Sequence, residues 1–157
     1  MKLRIVLISA LVTFFSTDLF ACGDSLYRVG KGVSYRVYTA PLPGSVLVYG
    51  QSEGAAQLAE ALAQSGHSVH LAGNQMDLTA ELETGNYDVV IAPYSERGTV
   101  EASADSLQQL ETTYLPVAMN KDEAKTANHD YTKVMVADQD EIKHYLKAIH
   151  KSLKSKT

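Results

Sequence analysis

The chain has 157 residues, 45% of them hydrophobic and 20% charged, with ten glycines, four prolines and a formal net charge of −4. That composition is ordinary for a globular domain and excludes wholesale disorder and fibrous repeats. The longest apolar run, Ile5 to Phe15, is too short to cross about 30 Å of hydrocarbon as a helix, so no membrane-spanning helix is expected.

Lys2 and Arg4 precede that run, and a more polar tail, Ser16 to Ala21, follows it. This is the three-part layout of a secretory signal, so residues 1–21 are expected to be removed and the protein exported to the periplasm. Lys2, Arg4 and Asp18 leave with the signal, and 12 basic side chains then face 17 acidic ones. Nucleic acid is excluded as a partner, because its phosphates demand clustered Lys and Arg. The one basic cluster, Lys147, Lys151, Lys154 and Lys156, reads as a solvated helix end that also complements the helix dipole. Cys22 is the only cysteine, so no disulfide can form within the chain. Leu19-Phe20-Ala21-Cys22 resembles a bacterial lipobox, which makes Cys22 the lipidation candidate and an N-terminal lipid the only expected link to a membrane. Phe20 is bulky for that motif, and ordinary signal cleavage to a soluble exported protein is the competing outcome.

Residues 22–44 read as an N-terminal extension. Tyr27-Arg28-Val29 joins the alternating stretch Val33 to Tyr38 through Gly30-Lys31-Gly32, the pattern of a β-hairpin. The Gly-Lys-Gly turn lacks the longer glycine-rich loop and the Ser or Thr of a P-loop.

From Ser45 short apolar runs alternate with amphipathic stretches, as parallel strands with crossover helices require. The strands are expected at 45–49, 68–72, 87–92, 115–119 and 132–137. The third, with Val89, Val90 and Ile91 consecutive, reads as buried on both faces. The first helix has Ser52 as N-cap, Ala55, Leu58, Ala59 and Leu62 on one stripe, and Gly66 as its stop. Asp77 is expected to cap a second helix ending at Gly85. A third runs through Val100 to Glu111, and a short fourth spans Asp122 to Asn128. Asp140 is expected to cap the last helix, with Ile142, Leu146, Ile149 and Leu153 on one stripe. The result is an α/β domain over residues 45–154, a flavodoxin-like (βα)₅ doubly wound parallel sheet of order 2-1-3-4-5, followed by a tail at 155–157.

Tyr87-Asp-Val-Val-Ile-Ala-Pro93 and Leu115-Pro-Val-Ala-Met119 resemble the third and fourth strands of a response-regulator receiver domain, and the resemblance extends from Ser45 to Lys154. In that family the third strand ends on the phosphorylated aspartate; here Pro93 stands in its place. The acidic pair that holds Mg²⁺ is replaced by Tyr49 and Gly50. The Ser or Thr after the fourth strand gives way to Asn120 or Lys121, and the lysine of the fifth to Val136 or Ala137. The resemblance therefore implies a pseudo-receiver that lacks every phosphotransfer group. Cys22-Gly23-Asp24 with Gly30-Lys31-Gly32 also resembles a group of exported bacterial proteins that carry such a domain, with Lys31 where an arginine is expected.

Gly50-Gln51-Ser52-Glu53-Gly54 matches G-x-S-x-G between a strand and a helix, the context of a nucleophile elbow. A triad on Ser52 would draw on Asp138 and His144, whereas an N-cap role explains Ser52 without chemistry. His67 and His70 lie three apart and cannot share one ion on a strand, and His144 and His150 point different ways on the last helix, both toward solvent. No metal site or cofactor is expected. Of nine tyrosines, Tyr27, Tyr35 and Tyr38 lie in the extension. Ligands of open parallel sheets gather beyond the carboxyl ends of the strands at the order reversal, which nominates Gln51, Ser52, Tyr94, Ser95 and Asn120 as one polar, nearly uncharged crevice. The expected function is a non-catalytic exported module binding an envelope protein or small ligand; the alternative is a small serine hydrolase acting through Ser52.

Overall fold

The computed structural model describes residues 39–106 and 112–156, with the side chains of 104–106 set aside. The hairpin expected over residues 27–38, Cys22 and the signal segment lie outside the described residues. The elements in order are β1 (Ser45–Tyr49), α1 (Glu53–Gln64), β2 (Ser68–Ala72), α2 (Gln75–Thr84), β3 (Val89–Pro93), a 3₁₀ turn (Tyr94–Glu96), α3 (Arg97–Ser106), β4 (Thr113–Ala118), α4 (Lys121–Asp130), β5 (Met135–Val136) and α5 (Ile142–Lys154). All strands are parallel, in the order β2-β1-β3-β4-β5. This is the expected flavodoxin-like doubly wound sheet, reversing between β1 and β3.

Strand alternation divides the core. Val46, Val48, Val89, Ile91, Leu115 and Val117 point to one face and pack against α1 and α5. Leu47, Tyr49, Val90 and Ala92 point to the other and meet Leu78 and Leu82 of α2 and Val100 of α3. Every residue of β3 is buried, as a central parallel strand demands. Tyr145 of α5 is fully enclosed as well, a burial that the aliphatic stripe alone does not reveal.

β1 and β2 fall at their expected boundaries; the other three strands shift, each through side chains that compete for ladder groups. β3 starts at Val89 because Asp88 serves as a brace: its N–H donates to Ser45 O and its carboxylate accepts from Ser45 N–H at 2.8 Å. β4 begins two residues early and stops at Ala118, where the Glu123 carboxylate takes the Met119 N–H at 2.6 Å. β5 shrinks to two residues: it begins only at Met135, and at its end Asp140 Oδ2 accepts the Val136 N–H at 2.7 Å as the chain turns away. It pairs only with Val117 and Ala118, so the first part of β4 has no β5 residue beside it.

Two expected caps are corrected. α2 is capped by Asn74, not Asp77: Asn74 accepts the Asp77 N–H at 3.0 Å and its amide donates to the Asp77 carboxylate, which adds a turn before Asp77. At α5 the flanking residue is Glu141, whose N–H donates to His144 Nδ1, because Asp140 is already spent on β5. α3 begins earlier than expected, at Arg97, and α4 is longer at both ends.

Candidate functional site

The loops after β1, β3 and β4 are neighbours because those strands are neighbours, and they carry the five residues of the expected crevice. Two of the five are occupied as caps. Ser52, in extended backbone, accepts the Ala55 N–H at 3.2 Å. Asn120 accepts from both Asp122 and Glu123 N–H at 3.0 Å. Tyr94 is not at the surface: it is 5% exposed, its hydroxyl donates to Asp130 at 3.2 Å, and the Arg97 guanidinium lies 4.5 Å above its ring. Gln51 and Ser95 are exposed. Burial pushes the Tyr49 hydroxyl above its ordinary value and the charge of Glu96 adds to this, which places the end of β1 near the turn after β3. The rim is thus polar, with Ser52 and Asn120 committed to helix starts and Gln51 and Ser95 left exposed.

The elbow geometry is not assembled. Ser52 Oγ is engaged by Ala55 N–H and touches no histidine among the described residues. His144 Nδ1 accepts the Glu141 N–H and lies 3.1 Å from Asp140, not Asp138. β1 and β5 are three strand spacings apart, about 14 Å, so nothing in the sheet draws Ser52 toward His144.

His67 and His70 make contacts within the fold. His67 is 6% exposed and its Nδ1 accepts the Gly44 N–H at 3.2 Å, which pins the segment entering β1; burial lowers its pKa below the usual imidazole value. His70 pairs with Glu81 at 3.1 Å, and Glu81 also accepts from the Tyr87 hydroxyl. His144 and His150 are half-buried, not exposed as expected, and His150 Nδ1 is fully enclosed. His150 lies four residues after Leu146 and three before Leu153, so it rides the margin of the buried stripe. Among the described residues no cluster of three or more His, Cys, Asp or Glu is placed to hold a metal ion.

Three tyrosines of the sheet's other face form a perpendicular stack. Tyr131 meets Tyr94 at 6.1 Å and Tyr114 at 5.2 Å between ring centres, both at 87°. Tyr114 donates to Pro93 O at 3.0 Å and Tyr131 to Glu101, so these hydroxyls join β4 and the end of α4 to β3 and α3.

A cavity of about 600 Å³ lies elsewhere, beside the first half of β4, between the loop after α4 and one side of α5. Sequence reasoning passed over it. Its signal is present, since His144, Lys147, Lys151 and Ser155 follow helical spacing along one side of α5, but the lysines alone look like a solvated helix end.

The fold is a doubly wound, flavodoxin-like α/β domain, and the ends of β1 and β3 at its carboxyl-end rim carry Tyr49, Gly50 and Pro93 in place of carboxylates. No protein family matches this chain, and neither a curated protein nor a solved structure matches it.

Proposed function

We propose that this protein is an exported receiver-like domain that performs no phosphotransfer and acts by binding. The observation that carries this reading is the end of β3, the position beside the order reversal where the receiver's acceptor carboxylate would stand. It is occupied by Pro93, the last residue of β3, while the neighbouring β1 ends on Tyr49 and is followed by Gly50. An acyl phosphate requires a carboxylate nucleophile, a divalent cation and a group that holds the phosphoryl oxygens, and proline, tyrosine and glycine supply none of these. Ser52 and Asn120, two further polar groups of the rim, serve as helix caps, which supports a non-catalytic role for them. The N-terminal signal pattern supports export, and Cys22 is the proposed first residue of the mature chain. The test is incubation with radiolabelled acetyl phosphate and Mg²⁺: no label is expected on the protein, and stoichiometric labelling overturns the reading.

A further inference from the structure

We infer that the cavity beside α5 is a binding site for a small organic polyanion bearing carboxylate or phosphate groups. The inference concerns a different place from the carboxyl-end rim and does not depend on the loss of phosphotransfer.

The cavity exists because β5 is short. A full-length fifth strand would lie along the beginning of β4; instead β5 begins only at Met135, opposite Val117, and the segment Tyr131–Lys133 and the side of α5 become walls. At about 600 Å³ it falls in the range of small-molecule sites.

Its lining is mixed in charge, three lysines against Asp130 and Asp140, with the lysines in excess. Lys133, Lys147 and Lys151 line it, and among the described residues none of the three ammonium groups has an ion pair or hydrogen bond. The two carboxylates of the wall are engaged within the fold: Asp140 holds the Val136 N–H at 2.7 Å and lies 3.1 Å from His144, and Asp130 accepts from Tyr94. In a chain of net charge −4, a lining in which three lysines form no ion pair and outnumber two carboxylates that are engaged elsewhere in the fold favours an anion. Thr113, Thr132 and Tyr131 complete this side of the lining. Lys147 and Lys151 are one turn apart on α5, about 6 Å along its axis, which suits two oxyanion groups separated by a few atoms.

The test is calorimetric titration of the full chain, with backbone NMR shifts as a map, against citrate, pyrophosphate, the uncharged trimethyl ester of citrate and a hexaglutamate peptide. Citrate or pyrophosphate is expected to bind with submillimolar affinity at low salt, with shifts confined to the surroundings of Lys133, Lys147 and Lys151. Which of the two binds more tightly distinguishes a carboxylate from a phosphate ligand. Lys147→Gln and Lys151→Gln are each expected to weaken binding about five-fold or more, while the arginine substitutions retain it. Lys125→Gln, which removes a cation paired with Asp122 on α4, leaves it unchanged. Unaltered melting temperatures show that the variants fold. The inference is overturned if neither small anion binds, if the neutral ester binds as well as citrate, if Lys125→Gln weakens binding as much as the cleft variants, or if hexaglutamate binds where the small anions do not.

Discussion

Replacing Ser52 by alanine separates the two meanings of the G-x-S-x-G segment. Ser52 Oγ accepts the Ala55 N–H at 3.2 Å, but the same N–H also reaches the Ser52 carbonyl at 3.0 Å, which the substitution leaves in place. The lost cap is therefore buffered, and the expected cost is in the lower part of the range for such changes, about 0.5–1 kcal/mol. With an unfolding entropy of roughly 2 cal/mol/K per residue, a domain of this size loses about 2–4 °C in melting temperature. Ser52→Asp is expected to be nearly neutral, since a carboxylate at a helix start gains about 0.3–1 kcal/mol while Glu53 beside it offsets part of that gain. Thermal unfolding followed by circular dichroism measures both, and a fluorophosphonate probe measures serine reactivity in parallel. The cap argument is refuted if Ser52→Ala melts like the wild type yet abolishes probe labelling or an ester hydrolysis that the wild type shows.

Lowering the pH should destabilise the protein through His67. Its folded pKa lies below the unfolded value because burial disfavours the charged ring, so the unfolded chain binds the proton more readily. The contribution of His67 is intact above about pH 6.5 and is lost as the pH falls toward the folded pKa. His67→Gln should flatten that part of the pH dependence in urea titrations, and an unchanged dependence would refute the assignment. Ile149→Ala, at a fully buried position of α5 facing the core, should cost about 2–5 kcal/mol in urea unfolding, whereas Lys151→Gln on the cleft side should stay within about 0.5 kcal/mol of wild type. Intact-mass measurement of protein purified from the cell envelope should give an N-terminus at Cys22, and added acyl mass would establish lipidation. A species that retains Met1 and resides in the cytosol would defeat the export proposal.

Much of the fold was legible from the order of residues because the relevant signals are local. Val89-Val90-Ile91 announces a strand buried on both faces, and Ala55, Leu58 and Leu62 between Ser52 and Gly66 announce an amphipathic helix with its cap and stop. Alternation of the two patterns, with the handedness of parallel crossovers, leaves few topologies, and the observed strand order is among them. The absence of carboxylates at the ends of β1 and β3 was legible in the same way, since Tyr49, Gly50 and Pro93 occupy positions defined by strand ends.

What the tertiary structure decided is how side chains with several available partners are spent. Asp140 looks like a helix cap in sequence, yet it closes β5 by taking the Val136 N–H, a choice set by packing of the turn between β5 and α5. Asn74, not Asp77, starts α2, and Asn120, read as a crevice residue, starts α4, because orphan N–H groups at helix ends compete for whichever oxygen the backbone brings nearest. Tyr94 turns inward onto Asp130 and Tyr131 once α3 and α4 cover that face. The cavity is the largest such consequence. Lys133 precedes Lys147 by a strand and a turn, and only the short fifth strand, with α5 beside it, brings the three lysines to the lining of one cavity.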